Sequence, residues 1–312
     1  MESVQVRPAR EEDLRSAERA SAVLFLEADQ SSRRVSEPEI QPRSDAGSKQ
    51  WIERMRFYLE ADPAGCWVAV DESGVEGGGD GGDAGGDGGD GGNVVGFAMS
   101  QNRGGVWYLA TYGVLTRYQG RGIGRRLMDA VLAHADGRPG LFSSSVHPGA
   151  TRRYRKAGFL LYPQMRMVGT VDRSTLPAID GLREGRPEDL EWMDRLDEEI
   201  RGAGHGPDHV YMLDRLRLVV SEDLRRPGYA YIDDEENRAV LLAAADPRTA
   251  QDLLWEALAA SRGETLVNCI TTANHWAVDV GLAARLDIGQ EGYLALRDMA
   301  EPAPYLASGH FL

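Results

Sequence analysis

Three glycines stand at every second position of one short segment, and arginines lie among and after them. Residues 119–124 read QGRGIG and are followed by Arg125 and Arg126. Glycine lets a backbone approach a ligand closely because no side chain stands in the way. Strand-like residues precede the segment and a helical pattern follows it, so successive N–H groups should collect at a helix N-terminus, which attracts anions. The spacing therefore predicts a phosphate-binding loop.

Three phosphate-binding patterns compete for this segment. A Walker A loop and a dinucleotide fingerprint each need a further glycine where this chain has Arg125 or Leu127. The surroundings also lack the lysine and the Mg²⁺ ligands of nucleotide-dependent kinases. The third pattern is Gln or Arg, any two residues, Gly, any residue, then Gly or Ala, and residues 119–124 satisfy it. On this motif the chain resembles the GNAT N-acetyltransferases; a glycine-rich helix start without a ligand is the alternative.

A second stretch extends the resemblance. Residues 147–159 read HPGATRRYRKAGF, which is similar to the family's next helix, with Ala150, Tyr154, Gly158 and Phe159 at the usual positions. His147 stands where the family commonly has Asn. The resemblance covers roughly residues 4–171 and implies the family's mixed α/β fold.

This resemblance implies acetyl-CoA as a co-substrate. Its diphosphate would lie on the N–H groups of residues 119–124, and its thioester carbonyl would meet the N–H of Val114. Nearby arginines are suited to charge-assisted bonds with phosphate, and a solvated surface position is the alternative for each. The implied cofactor-binding residues are Val114, Leu115, Gln119, Gly120, Arg121, Gly122, Ile123, Gly124, Arg125 and His147.

The implied reaction is direct attack of a primary amine on the thioester. Tyr154 matches the family's general acid for the departing thiolate, and a packing tyrosine is the alternative. Between Val106 and Leu115 the chain has no Glu or Asp to serve as the base. Candidate bases are Glu27, Asp29 and the carboxylate at the end of the chain, where YLASGHFL is apolar enough to dock. The sequence thus predicts an N-acetyltransferase for a small-molecule or peptidyl amine; the alternative is a non-catalytic acetyl-CoA-binding sensor or scaffold.

The elements needed to position these residues follow a mixed α/β order. A strand at 4–8, a helix near 11–28 and a helix near 47–61 lead to strands at 66–70, 94–101 and 105–115. The loop, a helix near 122–135, a strand at 141–146, a helix at 148–157 and a strand at 165–171 complete the pattern. Residues 77–92 hold eleven glycines, four aspartates and one alanine, so we expect a flexible insertion with nothing to bury.

An internal repeat predicts two tandem GNAT-like domains. VRPAREEDL (6–14) and LREGRPEDL (182–190) align without gaps at an offset of 176. We predict an N-terminal domain at 1–171 with the acetyl-CoA site and a degenerate C-terminal domain at 178–312. In the second copy Asp246 stands where phosphate should bind, and Gly281 replaces the tyrosine. These two differences favour a structural or substrate-shaping role for the C-terminal domain.

The composition limits which partners and which cellular location we expect. The chain has 312 residues and a net charge of −14, which disfavours nucleic acid as a partner and tolerates cationic small molecules. With two cysteines and no long apolar segment, we expect a cytoplasmic protein away from the membrane, as a monomer or a homodimer.

One further cluster stands out in the second half. GHGPDHVYML (204–213) brings His205, Asp208 and His209 close together in sequence. These residues could bind a metal or line a cleft. The favoured interpretation is a loop in which Asp208 caps the helix that begins there, with no metal site.

Overall fold

The computed structural model describes residues 4–32, 40–74 and 92–312, which form two compact units. The first unit contains the described residues up to Asn102 together with Leu109–Gly137, and the second contains Arg103–Tyr108 and Arg138–Leu312. Apart from Gly92, the predicted insertion at 77–92 lies outside the described residues. Among the helices that are described, none combines the length and apolarity needed to cross a membrane.

The first unit consists of strands and helices in the predicted mixed order. Its elements are β1 Val4–Pro8, α1 Leu14–Ser32, α2 Asp45–Ala61, β2 Cys66–Asp71, β3 Asn93–Arg103, β4 Val106–Val114 and α3 Ile123–Ala135. The strands lie in the order β1-β2-β3-β4, and β4 begins in the second unit. β1 and β3 both pair antiparallel with β2, so that Ala69 is opposite Val6 on one side and Gly96 on the other.

Helix α3 shows why the sequence folds this way near the loop. Ile123, Leu127 and Val131 recur at helical spacing and are almost completely buried. They form the apolar stripe of an amphipathic helix, which holds the helix against the core and leaves its N-terminus at the surface. The helix therefore positions the glycine-rich segment between its own first turn and the end of β4.

The second unit contains the remaining strands and helices. They are β5 Gly140–Ser144, α4 Pro148–Lys156, β6 Leu160–Thr170, β7 Leu182–Glu184, α5 Leu190–Arg201, α6 Pro207–Leu213, β8 Arg217–Ser221, β9 Gly228–Asp233, β10 Arg238–Ala244, α7 Pro247–Ala260, β11 Glu264–Ile270, α8 His275–Ala283, β12 Asp287–Arg297 and β13 Tyr305–Leu306. One sheet has the order β13-β10-β9-β8-β7. Its core includes Val219, Leu242 and Leu253.

The second sheet of this unit mixes strands from distant parts of the sequence. β5 pairs in parallel with the start of β4, and the order continues β5-β12-β6-β11. Thus β12 lies between β5 and β6, while β6 lies between β12 and β11. Each half of the sequence contributes a strand that separates two strands of the other half.

The fold class, a mixed α/β arrangement, is confirmed by this pattern. The compact units do not follow the sequence halves, because β5 and β6 share a sheet with β11 and β12. The predicted division into two domains at 1–171 and 178–312, which rests on the internal repeat, stays a prediction.

The repeat itself has a matching local structure in each copy. Arg7 donates two hydrogen bonds of 2.7 Å to Asp13, and Arg183 donates bonds of 2.8 and 2.6 Å to Asp189. In both copies the aspartate also accepts a main-chain N–H three residues earlier in the chain, at 2.9 and 2.8 Å. The 176-residue offset thus joins equivalent turns between a strand and a helix.

Candidate functional site

The glycine-rich segment turns the chain from β4 into α3. A short 3₁₀ turn at Thr116–Tyr118 is followed by Gly120 and Gly122, whose φ angles are +78° and +81°. Side chains other than glycine rarely adopt this left-handed backbone. Gly122 is also the N-cap residue of α3. Glycine is therefore required here by the backbone as well as by any ligand.

The loop presents unused main-chain donors. Within the described part of the chain, no main-chain N–H from Gly120 to Gly124 donates to a protein acceptor. A Cβ added to Gly120 or Gly122 would meet nothing within 4 Å, so the space beside both residues is open. Five successive donors at the start of a 13-residue helix form a concentration of positive potential. The loop has the chemistry of an anion-binding site.

Two contacts fix the loop to the end of β4. The Gln119 side chain donates through Nε2 to the main-chain oxygen of Val114 at 3.0 Å. The Tyr112 hydroxyl donates to the main-chain oxygen of Gly124 at 2.8 Å. A Cβ on Gly124 would lie 2.5 Å from that hydroxyl oxygen, so this glycine is needed for close packing. The first and last motif residues therefore position the open amides between them.

Basic side chains surround the same loop. The guanidinium groups of Arg117 and Arg121 each lie 5.3 Å from the centre of the Tyr118 ring. The Tyr118 hydroxyl donates to Asp71 at 2.6 Å, and that carboxylate raises the pKa of the phenol. Arg125 is exposed and lies 3.4 Å from Asp129. The loop thus carries exposed cations in a chain whose net charge is −14.

The apolar residues among the predicted cofactor-binding residues have their side chains in the hydrophobic core. Val114, Leu115 and Ile123 are each less than 10 % exposed, and the N–H of Leu115 donates to Val95 at 2.9 Å. Their side chains hold the loop in place, so any ligand contact from these residues would have to come from the main chain.

Tyr154 and His147 belong to the second unit, whereas the other predicted site residues belong to the first. Tyr154 lies on α4, is 6 % exposed, and packs edge-on against Phe142 with 4.5 Å between ring centres. His147 is exposed and caps α4, because its Nδ1 accepts the N–H of Ala150 at 3.4 Å. His147 is therefore the N-cap of α4.

The candidate bases differ in their surroundings. Glu27 accepts a 2.6 Å hydrogen bond from Thr116, the first residue of the 3₁₀ turn, and Asp29 is exposed. Phe311 and Leu312 are buried, as the apolar ending predicts, and Arg201 donates to the main-chain oxygen of Leu312. A guanidinium partner stabilises an ionised carboxylate and makes it a weaker base.

Sequence reasoning missed one partly buried carboxylate in the mixed sheet. Glu291 lies in an irregular part of β12 and accepts the N–H of Cys269 at 3.0 Å. Burial raises the pKa of Glu291. Cys269 has a left-handed φ of +58°, which is strained for a side chain other than glycine. Only the pairing of β11 and β12 with β6 brings this carboxylate and this amide together.

In the predicted second repeat, the N-terminus of α7 is capped by a carboxylate of the chain itself. Asp246 is the N-cap of α7 and accepts the N–H groups of Arg248 and Thr249 at 2.9 and 3.1 Å. Arg226 donates to the same carboxylate at 2.6 Å and, as the largest cause, lowers its pKa. An internal carboxylate therefore occupies the N-terminus of α7.

The histidine-rich segment is arranged differently from the sequence prediction. The N-cap of α6 is Gly206, so the interpretation of Asp208 as the helix cap was wrong. Asp208 is fully buried and accepts hydrogen bonds from Arg103 at 2.7 Å and Tyr108 at 2.9 Å. The carboxylate that contacts His205 and His209 is Asp197 on α5. The sequence signal for Asp197 was that a charged residue lies among the buried positions of α5.

Comparisons with known proteins agree with the fold. The family described as "Acetyltransferase (GNAT) family" matches residues 33–159. A protein described as a "Putative Acetyltransferase" from Pyrococcus horikoshii has 16% identity and a TM-score of 0.69, with 100% of this chain and 95% of that chain covered. A GCN5-related N-acetyltransferase from Sphaerobacter thermophilus has 14% identity and a TM-score of 0.57, covering 95% and 96%. One from Kribbella flavida has 17% identity and a TM-score of 0.54, covering 94% and 71%.

At these identities the structural similarity establishes the fold, and the sequence matches no curated protein. The family match spans the open loop and the helix that carries Tyr154. Residues 33–159 of the chain therefore match the family described as "Acetyltransferase (GNAT) family", and the whole chain has a fold similar to that of the solved acetyltransferases.

Proposed function

We propose that this protein is an N-acetyltransferase that transfers the acetyl group of acetyl-CoA to a primary amine by direct attack. The observation that carries the proposal is the row of unused main-chain N–H groups from Gly120 to Gly124. The amine belongs to a small molecule or a peptide, and the acidic charge of the chain favours a cationic acceptor.

The loop residues have distinct roles in holding the diphosphate of acetyl-CoA. The amides donate hydrogen bonds, and the glycines leave room for the phosphates to approach. Each charge placed favourably at a helix N-terminus contributes about 0.3–1 kcal/mol. Arg121 and Arg125 are exposed and can turn toward the phosphates, which adds charge-assisted hydrogen bonds.

Proton transfer is the remaining requirement. An alkylamine with a pKa near 10.4 is neutral in about one molecule per thousand at pH 7, so a base or water chain must accept a proton. The leaving thiolate needs a proton in turn, and we assign that donation to Tyr154. The second repeat, whose helix N-terminus is filled by Asp246, binds no acetyl-CoA in this proposal.

One observation favours a second candidate, a non-catalytic acetyl-CoA-binding sensor. Tyr154 is almost fully buried against Phe142, as a tyrosine with only a packing role would be. Both candidates need the loop, but only the enzyme needs to release CoA. Free thiol measured across a panel of primary amines distinguishes them: release with at least one amine supports the enzyme, and tight binding without release supports the sensor.

Calorimetry with acetyl-CoA tests the loop directly. We expect the charge reversal Arg121→Glu and the substitution Gly122→Val to weaken binding at least tenfold. The first replaces a cation beside the phosphates by an anion, and the second forces a β-branched residue into a left-handed backbone.

Arg225→Glu is the matched control, since Arg225 is 90% exposed and paired only with a neighbouring aspartate in the described structure. Unfolding temperatures of all variants confirm that they are folded. Absence of binding by the unaltered protein, or equal binding by all three variants, would contradict the proposal.

A further inference from the structure

Three ligand-type side chains of the second unit meet in its interior. Asp197 on α5, His205 just before α6 and His209 within α6 are all 0 % exposed. The carboxylate oxygen Oδ2 of Asp197 lies 2.8 Å from Nδ1 of His205 and 2.9 Å from Nε2 of His209. One atom of each side chain thus points at a common position.

We propose that Asp197, His205 and His209 bind a divalent first-row transition metal. The three candidate ligand atoms lie within 4.8 Å of one another. Two neutral imidazoles and one carboxylate suit Zn²⁺, Fe²⁺ or Co²⁺, whereas Ca²⁺ and Mg²⁺ prefer sites built from oxygen. This assignment is independent of acetyl transfer and involves none of the loop residues.

The surroundings of the three side chains support the assignment. The Tyr305 hydroxyl lies 3.2 Å from Nε2 of His205, and the Tyr231 hydroxyl lies 3.2 Å from Nδ1 of His209. The Tyr229 hydroxyl donates to the other carboxylate oxygen of Asp197 at 2.7 Å. Each ligand is therefore oriented by a tyrosine through the atom that would not bind the metal. Metal-binding histidines in proteins almost always make a hydrogen bond through the ring nitrogen that does not bind the metal, usually to a carboxylate, a backbone carbonyl or water; here tyrosine hydroxyls take that position.

A second carboxylate lies beside the cluster. Oδ1 of Asp194 is 3.7 Å from Nε2 of His209 and accepts the N–H of Gly206 at 2.9 Å. The Asp194 side chain is 35% exposed, whereas the three central side chains are buried. Asp194 thus connects the cluster to the surface and offers a further oxygen ligand or the position of a bound water.

Metal binding requires a rearrangement in which the two imidazole nitrogens, which lie within 4.8 Å of each other, also take the spacing of metal ligands. At metal–nitrogen distances of about 2.0–2.1 Å, tetrahedral ligand atoms are separated by roughly 3.3 Å. The hydrogen-bonded pairs at 2.8 and 2.9 Å must therefore move apart by about half an ångström, and the protons between them must leave. A metal-free network that keeps these protons is the competing state.

Metal uptake by protein without a histidine tag tests the proposal. The protein is treated with a chelator, dialysed, and titrated with Zn²⁺ by calorimetry; bound zinc is then counted by mass spectrometry. We expect one zinc per chain and a raised unfolding temperature. Co²⁺ added to the same metal-free protein should give a visible absorption spectrum of a low-symmetry nitrogen and oxygen site.

Two variants locate the metal. His209→Gln should weaken zinc binding at least a hundredfold, because it removes one ligand. Tyr305→Phe should weaken it about tenfold without removing a ligand, since only the orientation of His205 is affected. His275→Gln, which changes an exposed histidine outside the cluster, is the control and should bind zinc normally.

If His209→Gln does not fold, the cobalt spectrum and Tyr305→Phe still decide the question. No stoichiometric zinc in the unaltered protein, or uptake that neither Tyr305→Phe nor His209→Gln changes, would overturn the proposal and leave the hydrogen-bonded network.

Discussion

A single side chain can both pack in the core and take part in the proposed chemistry, and Tyr154 is the example in this protein. Its ring packs against Phe142, and it lies one helical turn before Gly158 and Phe159. Packing fixes the direction of the ring, which a proton donor also requires. Burial alone therefore cannot separate a structural tyrosine from a catalytic one, but removal of the hydroxyl can.

At this scale we expect Tyr154→Phe to lower kcat at least tenfold while acetyl-CoA binding stays within about twofold. The ring remains and only the proton donor is lost. Steady-state kinetics and calorimetry on the same preparation measure the two quantities. Tyr162→Phe on β6 is the matched control. Unchanged turnover in Tyr154→Phe would remove the hydroxyl from the mechanism.

Among the elements, the turn between a strand and a helix occurs twice with the same hydrogen bonds. In the second copy Arg183, Trp192 and the N–H of Arg186 all donate to Asp189. These bonds, that from Arg183 above all, lower the pKa of Asp189 to about 2. The aspartate thus fixes the entry of α5, and so the direction of the helix that carries Asp197.

We expect Asp189→Asn to lower the free energy of unfolding by about 1–2 kcal/mol at pH 7. The folded pKa lies below the ordinary 3.8, so ionisation stabilises the fold above about pH 4, and this contribution is lost as the pH falls toward about 2. The estimate is reduced because the Arg183 side chain is 36% exposed.

Urea unfolding of both proteins between pH 7 and pH 2.5 measures this difference. It should shrink on acidification, whereas Glu188→Gln, which changes an exposed neighbour, should behave like the unaltered protein. A difference that stays constant down to pH 2.5 would mean that the Asp189 charge is not responsible.

On the scale of the whole molecule, strand order couples distant parts of the sequence. Tyr293, Leu294 and Ala295 of β12 pair with Ser144, Ser143 and Phe142 of β5 on one side. On the other side the same three residues pair with β6. Without residues beyond 171, both β5 and β6 would lose these partners and expose unpaired strand edges.

We therefore expect a fragment of residues 1–171 to aggregate or to unfold without cooperativity. Separately expressed residues 172–312, added during refolding, should rescue it by restoring β11 and β12. Size-exclusion chromatography and circular dichroism melting compare the fragment, the mixture and the full chain. A monomeric fragment that melts like the full chain would contradict the observed strand order.

The sequence alone determined the local structure of this protein. The glycine loop, the stripe of α3, the mixed α/β class and the repeated turn all follow from residues close together in the chain, because capping, turns and helical periodicity are local interactions. The match of residues 119–124 to the GNAT motif therefore predicted the open amides of Gly120 to Gly124, but the N–H of Gln119 instead donates to the main-chain oxygen of Thr116 at 3.1 Å.

Only the tertiary structure decided the long-range partners. Asp197, rather than Asp208, meets the two histidines, and Asp208 instead pairs with Arg103, 105 positions away. β12 separates β5 and β6, although the sequence places it more than a hundred residues later. Pairing at such separations is chosen by burial and by the hydrogen bonds of the assembled fold, and no local pattern in the sequence records it.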